Sequence, residues 1–143
     1  MKYELIKQGY IPIRLTIIKT LHLVIKAKIN GIEGFFVVDT GASNTCVGIE
    51  FAEYFGLKKK LSEIKASGAG AVDIETHLSK NNLLTIGKWS KHSVNLILFD
   101  LSHINQALIL YGFEPLQGII GADILKKHKA IIDYSQKILY LLK

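Results

Sequence analysis

Hydrophobic residues along most of this chain fall in short runs, some alternating with polar residues and some uninterrupted, that read as short strands and not as long helices. Tyr10–Ile18 is rich in β-branched residues and reads as extended. Leu21–Ile29 places Leu21, Leu23, Ile25, Ala27 and Ile29 on one face, against Lys26 and Lys28 on the other. Asn30-Gly31 follows, a strong signal for a two-residue hairpin turn. Gly34–Asp39 is then an apolar, fully buried strand that ends in a carboxylate. Leu61–Ser67 and Val72–Ser79 flank the glycine-rich tip Gly68-Ala69-Gly70-Ala71, so this segment reads as a hairpin. Leu83–Ile86 and Val94–Phe99 add two strands, with Gly87-Lys88 in the turn between them. Gly118–Gly121 is a short apolar strand, and Ala130–Asp133 with Lys137–Leu142 forms a closing hairpin around Tyr134-Ser135-Gln136.

The predicted helices are few and brief. Ile49–Phe55 turns Glu50 and Glu53 outward and stops at Gly56. Ser102–Leu108 follows Asp100, and either Asp100 or Ser102 can cap it. Ala122–His128 directs Ile124 and Leu125 inward. Many short strands with few helices predict a mostly β fold, closed or sandwiched.

Composition narrows the function classes. The 143 residues predict one domain, 1–143, and 49% are apolar, enough to bury a core without covalent staples. Charged residues are 21% of the chain, which excludes a disordered or coiled-coil protein. No apolar run approaches the roughly 18 residues that a membrane helix needs, so no membrane partner is expected. Met1-Lys2-Tyr3-Glu4-Leu5 carries no signal-peptide core, and Cys46 is the only cysteine. Both point to a reducing, cytoplasmic setting and exclude a disulfide framework. The net charge of +6 gathers at the two ends: residues 1–30 hold six Lys/Arg against one Glu, and residues 126–143 five Lys against one Asp. These lysines alternate with apolar residues and have no interleaved aromatics, so they read as solvated strand faces, and no nucleic acid partner is expected. The five histidines, His22, His77, His92, His103 and His128, show no metal-ligand spacing, so no metal site is expected and they read as surface or rim positions.

The informative stretch is Phe35-Phe36-Val37-Val38-Asp39-Thr40-Gly41-Ala42-Ser43-Asn44-Thr45. An apolar strand that ends in a carboxylate and a tight turn suggests that the charge is used. Gly41 lets a backbone amide approach the carboxylate, and Thr40 offers a hydroxyl. Taken alone, Asp39 could instead cap its own turn. The stretch resembles the active-site loop of retropepsin-like aspartic proteases. Gln117-Gly118-Ile119-Ile120-Gly121-Ala122-Asp123-Ile124-Leu125 resembles the apolar strand, glycine and helix that brace this loop in the same family. The hairpin tip at 68–71 stands where the family has its flap, and the order of the three parts matches over roughly Leu21 to Leu142. The ending after the last helix looks more like cellular and bacterial single-lobe members than viral ones.

The resemblance implies a retropepsin-like acid-protease lobe, closed and barrel-like, with a flap hairpin and short helices. It implies an aspartic endopeptidase without a cofactor, with Asp39, Thr40 and Gly41 as the catalytic loop. Gly68, Ala69, Gly70 and Ala71 would form the flap over an extended peptide substrate. Ala42, Val47, Ile74, Leu116 and Ile119 would line its pockets. Asp123 and Gly121 would be structural supports, Asp123 through a hydrogen bond to the loop around Thr45. Proteolysis of this kind needs two carboxylates sharing one proton. Of the five aspartates, at 39, 73, 100, 123 and 133, only Asp39 precedes Thr-Gly, so the second carboxylate would come from a two-fold partner in a homodimer. Retroviral members brace their dimer with an Asp–Arg pair at positions that here are Ser43 and Ala122. The other reading is a catalytically silent module of the same fold that binds a peptide or protein segment.

Overall fold

Asn30 and Gly31 both take positive φ, 53° and 84°, the backbone that a tight two-residue hairpin requires. The strands they join, β3 (Leu23–Ile29) and β4 (Ile32–Val38), pair antiparallel from Ile29↔Ile32 to Leu23↔Val38. In this computed structural model, residues 1–68 and 71–143 are described, with side chains outside 61–75. Before the hairpin come α1 (Lys2–Lys7), β1 (Tyr10–Arg14) and β2 (Thr16–Ile17). After it come β5 (Cys46–Gly48), β6 (Lys60–Gly68), β7 (Ala71–Ile86) and β8 (Trp89–Phe99). The chain finishes with α2 (Ser102–Leu110), β9 (Gly118–Ile120), α3 (Ala122–Lys127), β10 (Ile131–Asp133) and β11 (Ile138–Leu142).

Six strands close into a ring in the order β3, β4, β9, β5, β8, β7, with β7 returning to β3 at Lys28↔Thr85 and Ile29↔Leu84. The fold is therefore mostly β and barrel-like, as the pattern predicts. Asn30 stitches the closure: its side chain donates to Asn82 Oδ1 (3.0 Å) and accepts from the Leu83 amide (3.0 Å), while its own amide donates to Leu83 (2.8 Å). Inside the ring, Ile25, Ile29, Phe36, Leu84, Trp89 and Leu98 are fully buried together. A small sheet, β1-β11-β10, adds Ile11, Ile13, Leu139 and Leu141 to the same core. A second cluster, Val24, Leu108 and Leu116, lies on the outer face of β3 and β4 under α2 and the segment after it.

Several sequence expectations change. Residues 2–7 are a helix that buries Leu5 alone, too little periodicity to read. Leu21 does not share the face of Leu23; it sits in a turn at φ 68° and is 78% exposed. The strand before Asp39 alternates instead of being buried throughout, and Phe35 is 40% exposed. Leu83–Ile86 is the continuation of β7, carried past a register shift where Asn81 takes φ 62°. The predicted helix at Ile49–Phe55 is a single 3₁₀ turn, Ile49–Phe51, followed by irregular turns. Neither candidate is the N-cap of α2, which is Leu101 without a side-chain cap; the Asp100 carboxylate, one position earlier, accepts the Ser102 amide at 2.8 Å.

Candidate active site

β9 runs between β4 and β5, the two strands that flank Asp39-Thr40-Gly41. It pairs parallel with β4 (Val38↔Ile120) and antiparallel with β5 (Cys46↔Ile119), so each end of the loop leaves from a strand locked to the same central element. The Asp39 amide donates to Ile120 (3.0 Å), and the Ala122 amide donates to the Ala42 carbonyl (2.7 Å). Gln117 adds two backbone links, accepting from Gly48 (2.8 Å) and donating to Phe35 (2.9 Å). Its side-chain oxygen also accepts the Phe35 amide at 2.6 Å.

Held this way, Asp39, Thr40 and Gly41 are all exposed at the tip. The Gly41 amide donates to Asp39 Oδ1 at 2.9 Å and fixes the orientation of the carboxylate. Gly41 does this without a positive φ; a Cβ there would press only on Asp39 Oδ1, at 3.3 Å. The Ala42 amide donates to the Asp39 carbonyl (3.2 Å), which closes the turn. The arrangement presents one oriented, solvent-facing carboxylate beside the exposed Thr40 hydroxyl, which has no partner among the described residues.

Beneath the loop a hydrogen-bond relay runs from the buried Thr45 to Asp123, which is exposed. Thr45, 0% exposed, donates to Asp123 Oδ1 at 2.7 Å and accepts the Gly121 amide at 3.1 Å. Asp123 also accepts the Ile124 amide (2.9 Å) at the start of α3. Gly121 has no room for a side chain: a Cβ would lie 2.7 Å from the Asn44 backbone and 2.8 Å from the Ala42 carbonyl oxygen. We expect Asp123→Ala to destabilise the protein by about 1–2 kcal/mol, because the buried Thr45 hydroxyl loses its acceptor. Asp123→Asn keeps an acceptor and should recover most of this loss in thermal unfolding. An unchanged Tm for Asp123→Ala would show that the relay carries no stability.

Cys46 sits beside this relay, its thiol donating to the Asn44 carbonyl at 3.0 Å. Burial pushes the thiol up to about 12, with the negative charges of Asp123 and Asp39 adding to the effect. Cys46 is thus a buried apolar wall, not a nucleophile.

The other expected site residues fall in different places. Ile119 is partly buried next to Val37, its β4 partner, on the strand that anchors the loop. Ala42 is partly buried at the end of the turn. Leu116 belongs to the outer cluster with Val24. Val47 does not line a pocket: it is 0% exposed and packs inside the barrel. Gly68 and Ala71 face each other across the β6–β7 ladder, while Ala69 and Gly70 lie outside the described residues. The side chain of Ile74 lies outside them as well. Two supports escaped the sequence reading. One is the Gln117 bracket; the other is Asn105, a buried helix residue that donates to the Leu116 carbonyl (2.9 Å) and accepts its amide (2.8 Å). An isolated Asn in a helical pattern gives no sign of such a clamp. Among the described residues no helix is long and apolar enough to cross a membrane.

The sequence profile of the family described as aspartyl protease matches residues 25–124. No curated protein sequence matches the chain. Among solved structures, it is similar to a retropepsin-like aspartic protease from Rickettsia conorii at 23% identity and TM-score 0.61, over 93% of this chain and 90% of that one. It is similar to the retroviral protease-like domain of Ddi1 from Leishmania major at 18% identity and TM-score 0.58, over 84% and 87% of the two chains. The EIAV protease, solved with the inhibitor HBY-793, matches at 17% identity and TM-score 0.58, over 77% of this chain and 90% of that one. At these identities the likeness is one of fold.

Proposed function

The chain belongs to the aspartyl protease family, and we propose that it is an aspartic endopeptidase, one domain over 1–143, whose catalytic pair is completed by a second copy of itself. The observation that carries this reading is the lone Asp39-Thr40-Gly41 loop, rigidly held from both sides yet open to solvent. A single carboxylate is half of the machinery. Two such loops meeting on a two-fold axis bring Asp39 of each chain together, with each Thr40 hydroxyl reaching the opposite loop. Two carboxylates at about 3 Å share one proton, since like charges that close cannot both ionise. The ionised one takes a proton from water as the water attacks the peptide carbonyl; the protonated one donates to the carbonyl oxygen. The substrate is an extended peptide running between the loops and the Gly68 and Ala71 ends of β6 and β7, with Ala42 and Ile119 on its walls. A catalytically silent peptide-binding module is the second reading. It is favoured by Ser43 and Ala122, which leave the dimer without the ion pair of the retroviral pattern, and by the cationic ends of the chain.

Sedimentation over a wide concentration range, with peptide cleavage measured at each point, separates the two. Specific activity should rise in step with the dimer fraction. A strict monomer that cleaves peptide would overturn the shared pair, and a dimer that binds peptide without cleaving it would favour the silent module.

A further inference from the structure

A groove of about 640 Å³ lies over the outer face of β2, β3 and β4, away from the carboxylate. Its apolar walls are Ile18, Val24, Phe35, Phe113 and Leu116. This volume is in the range of sites that hold small ligands or a few side chains. Three features define what fits. First, exposed apolar residues adjoin the groove along the chain: Leu110 and Tyr111, directly before the lining residue Gly112, are 81% and 77% exposed. Apolar surface of that kind outside a cavity marks contact with a larger partner. Second, Arg14 and Lys26 stand at the groove against a single acid, Glu114. Among the described residues Arg14 has no ion pair, and Lys26 reaches Glu33 only at 3.8 Å with both side chains about half exposed or more (62% and 49%). Third, the groove runs into the catalytic strand. Val37 packs on the cluster of Val24 and Leu116 and lies two residues before Asp39.

We propose that this groove is a second peptide-docking site, taking an apolar segment that carries an acidic side chain, remote from the bond cleaved. Apolar side chains of the segment sit against Val24, Phe35 and Leu116, and its carboxylate lies between Arg14 and Lys26. Because Val37 joins the groove to the loop, a chain held there is tethered close to Asp39, which raises the local concentration of its scissile region. The binding needs only the groove; its service to proteolysis rests on the function proposed above.

The test reads binding without turnover, so that it stands apart from catalysis. Fluorescein-labelled decapeptides with two leucines and one glutamate, placed in every register, are titrated into Asp39→Asn protein and followed by anisotropy. Binding by at least one register is expected. In the best binder, exchange of its glutamate for lysine should weaken binding roughly threefold to tenfold, as should the Arg14→Gln/Lys26→Gln double variant. Exchange of its leucines for serine should weaken it about tenfold or more. Phe35→Ser should do the same, with thermal unfolding confirming that the variant is folded. The peptide exchanges leave the protein untouched, so a misfolded variant cannot hide the answer. Absence of binding in every register overturns the proposal, as does binding indifferent to glutamate or to leucine. Dodecanoate bound where no peptide binds would make the groove a site for a small amphiphile. Loss of self-association in Phe35→Ser, with no peptide bound, would make it a contact between copies. Either result also overturns the proposal.

Discussion

Asp39→Asn should reduce peptide cleavage by at least about 100-fold, the scale set by loss of a general base. The fold should survive it. Asp39 is exposed, and the hydrogen bond its side chain accepts comes from the Gly41 amide, which an asparagine oxygen can accept equally well. The change in unfolding free energy should stay within about 0.5 kcal/mol, as for other surface substitutions. Mixing gives a sharper result. After subunit exchange, equal parts of wild type and variant should show about a quarter of the activity of the same total amount of wild type, because only dimers with two intact loops work. Half of that activity would mean that each chain acts alone. Full cleavage by the variant would remove Asp39 from the chemistry.

Gly121→Ala should destabilise the protein by about 3 kcal/mol or more, which lowers Tm by roughly 10 °C. The added methyl would meet the Asn44 and Ala42 backbones below 3 Å, and backbone cannot swing aside as a side chain can. Moving apart would break the Ala122–Ala42 and Gly121–Thr45 hydrogen bonds together, so the Asp39 loop loses its seat. Gly56→Ala is the control. Gly56 has φ +67° but nothing within 4 Å of a Cβ, so it should cost only about 1 kcal/mol, the backbone term. Equal losses in the two variants would show that conformation, not crowding, governs Gly121.

The part of the molecule legible in its sequence is the part where residue type dictates backbone. Asn30-Gly31 demands a positive-φ turn, and the turn is there. Gly121 stands hard against the backbone of residues 42–44, and Asp39-Thr40-Gly41 carries its own turn chemistry. What escaped depends on partners distant in sequence. An apolar run such as Phe35–Val38 looks wholly buried, but a strand has two faces, and only the barrel decides that Phe36 and Val38 point in while Phe35 lines a groove. The polar stretch Lys80-Asn81-Asn82 looks like a boundary. It is a bulge within one strand, because the buried Asn82 amide finds the Ser79 carbonyl and hydroxyl. Leu21 extends an alternation by coincidence; the strand has already given way to a turn.

The threading of β9 between β4 and β5 also sets an order in time. Val38 and Ile120 become neighbours although they stand 82 positions apart, and contacts of that span form late because the loop they close must first be paid for in entropy. The β3–β4 hairpin, by contrast, needs a two-residue turn and can form within microseconds. During synthesis the segment carrying Asp39 is therefore complete long before β9 can seat its loop between β4 and β5. Until residues 118–122 emerge, that segment ends in an unanchored loop. The loop gains its seat as one of the last acts of folding, and the amides of Asp39 and Ala122 gain their partners in that same step.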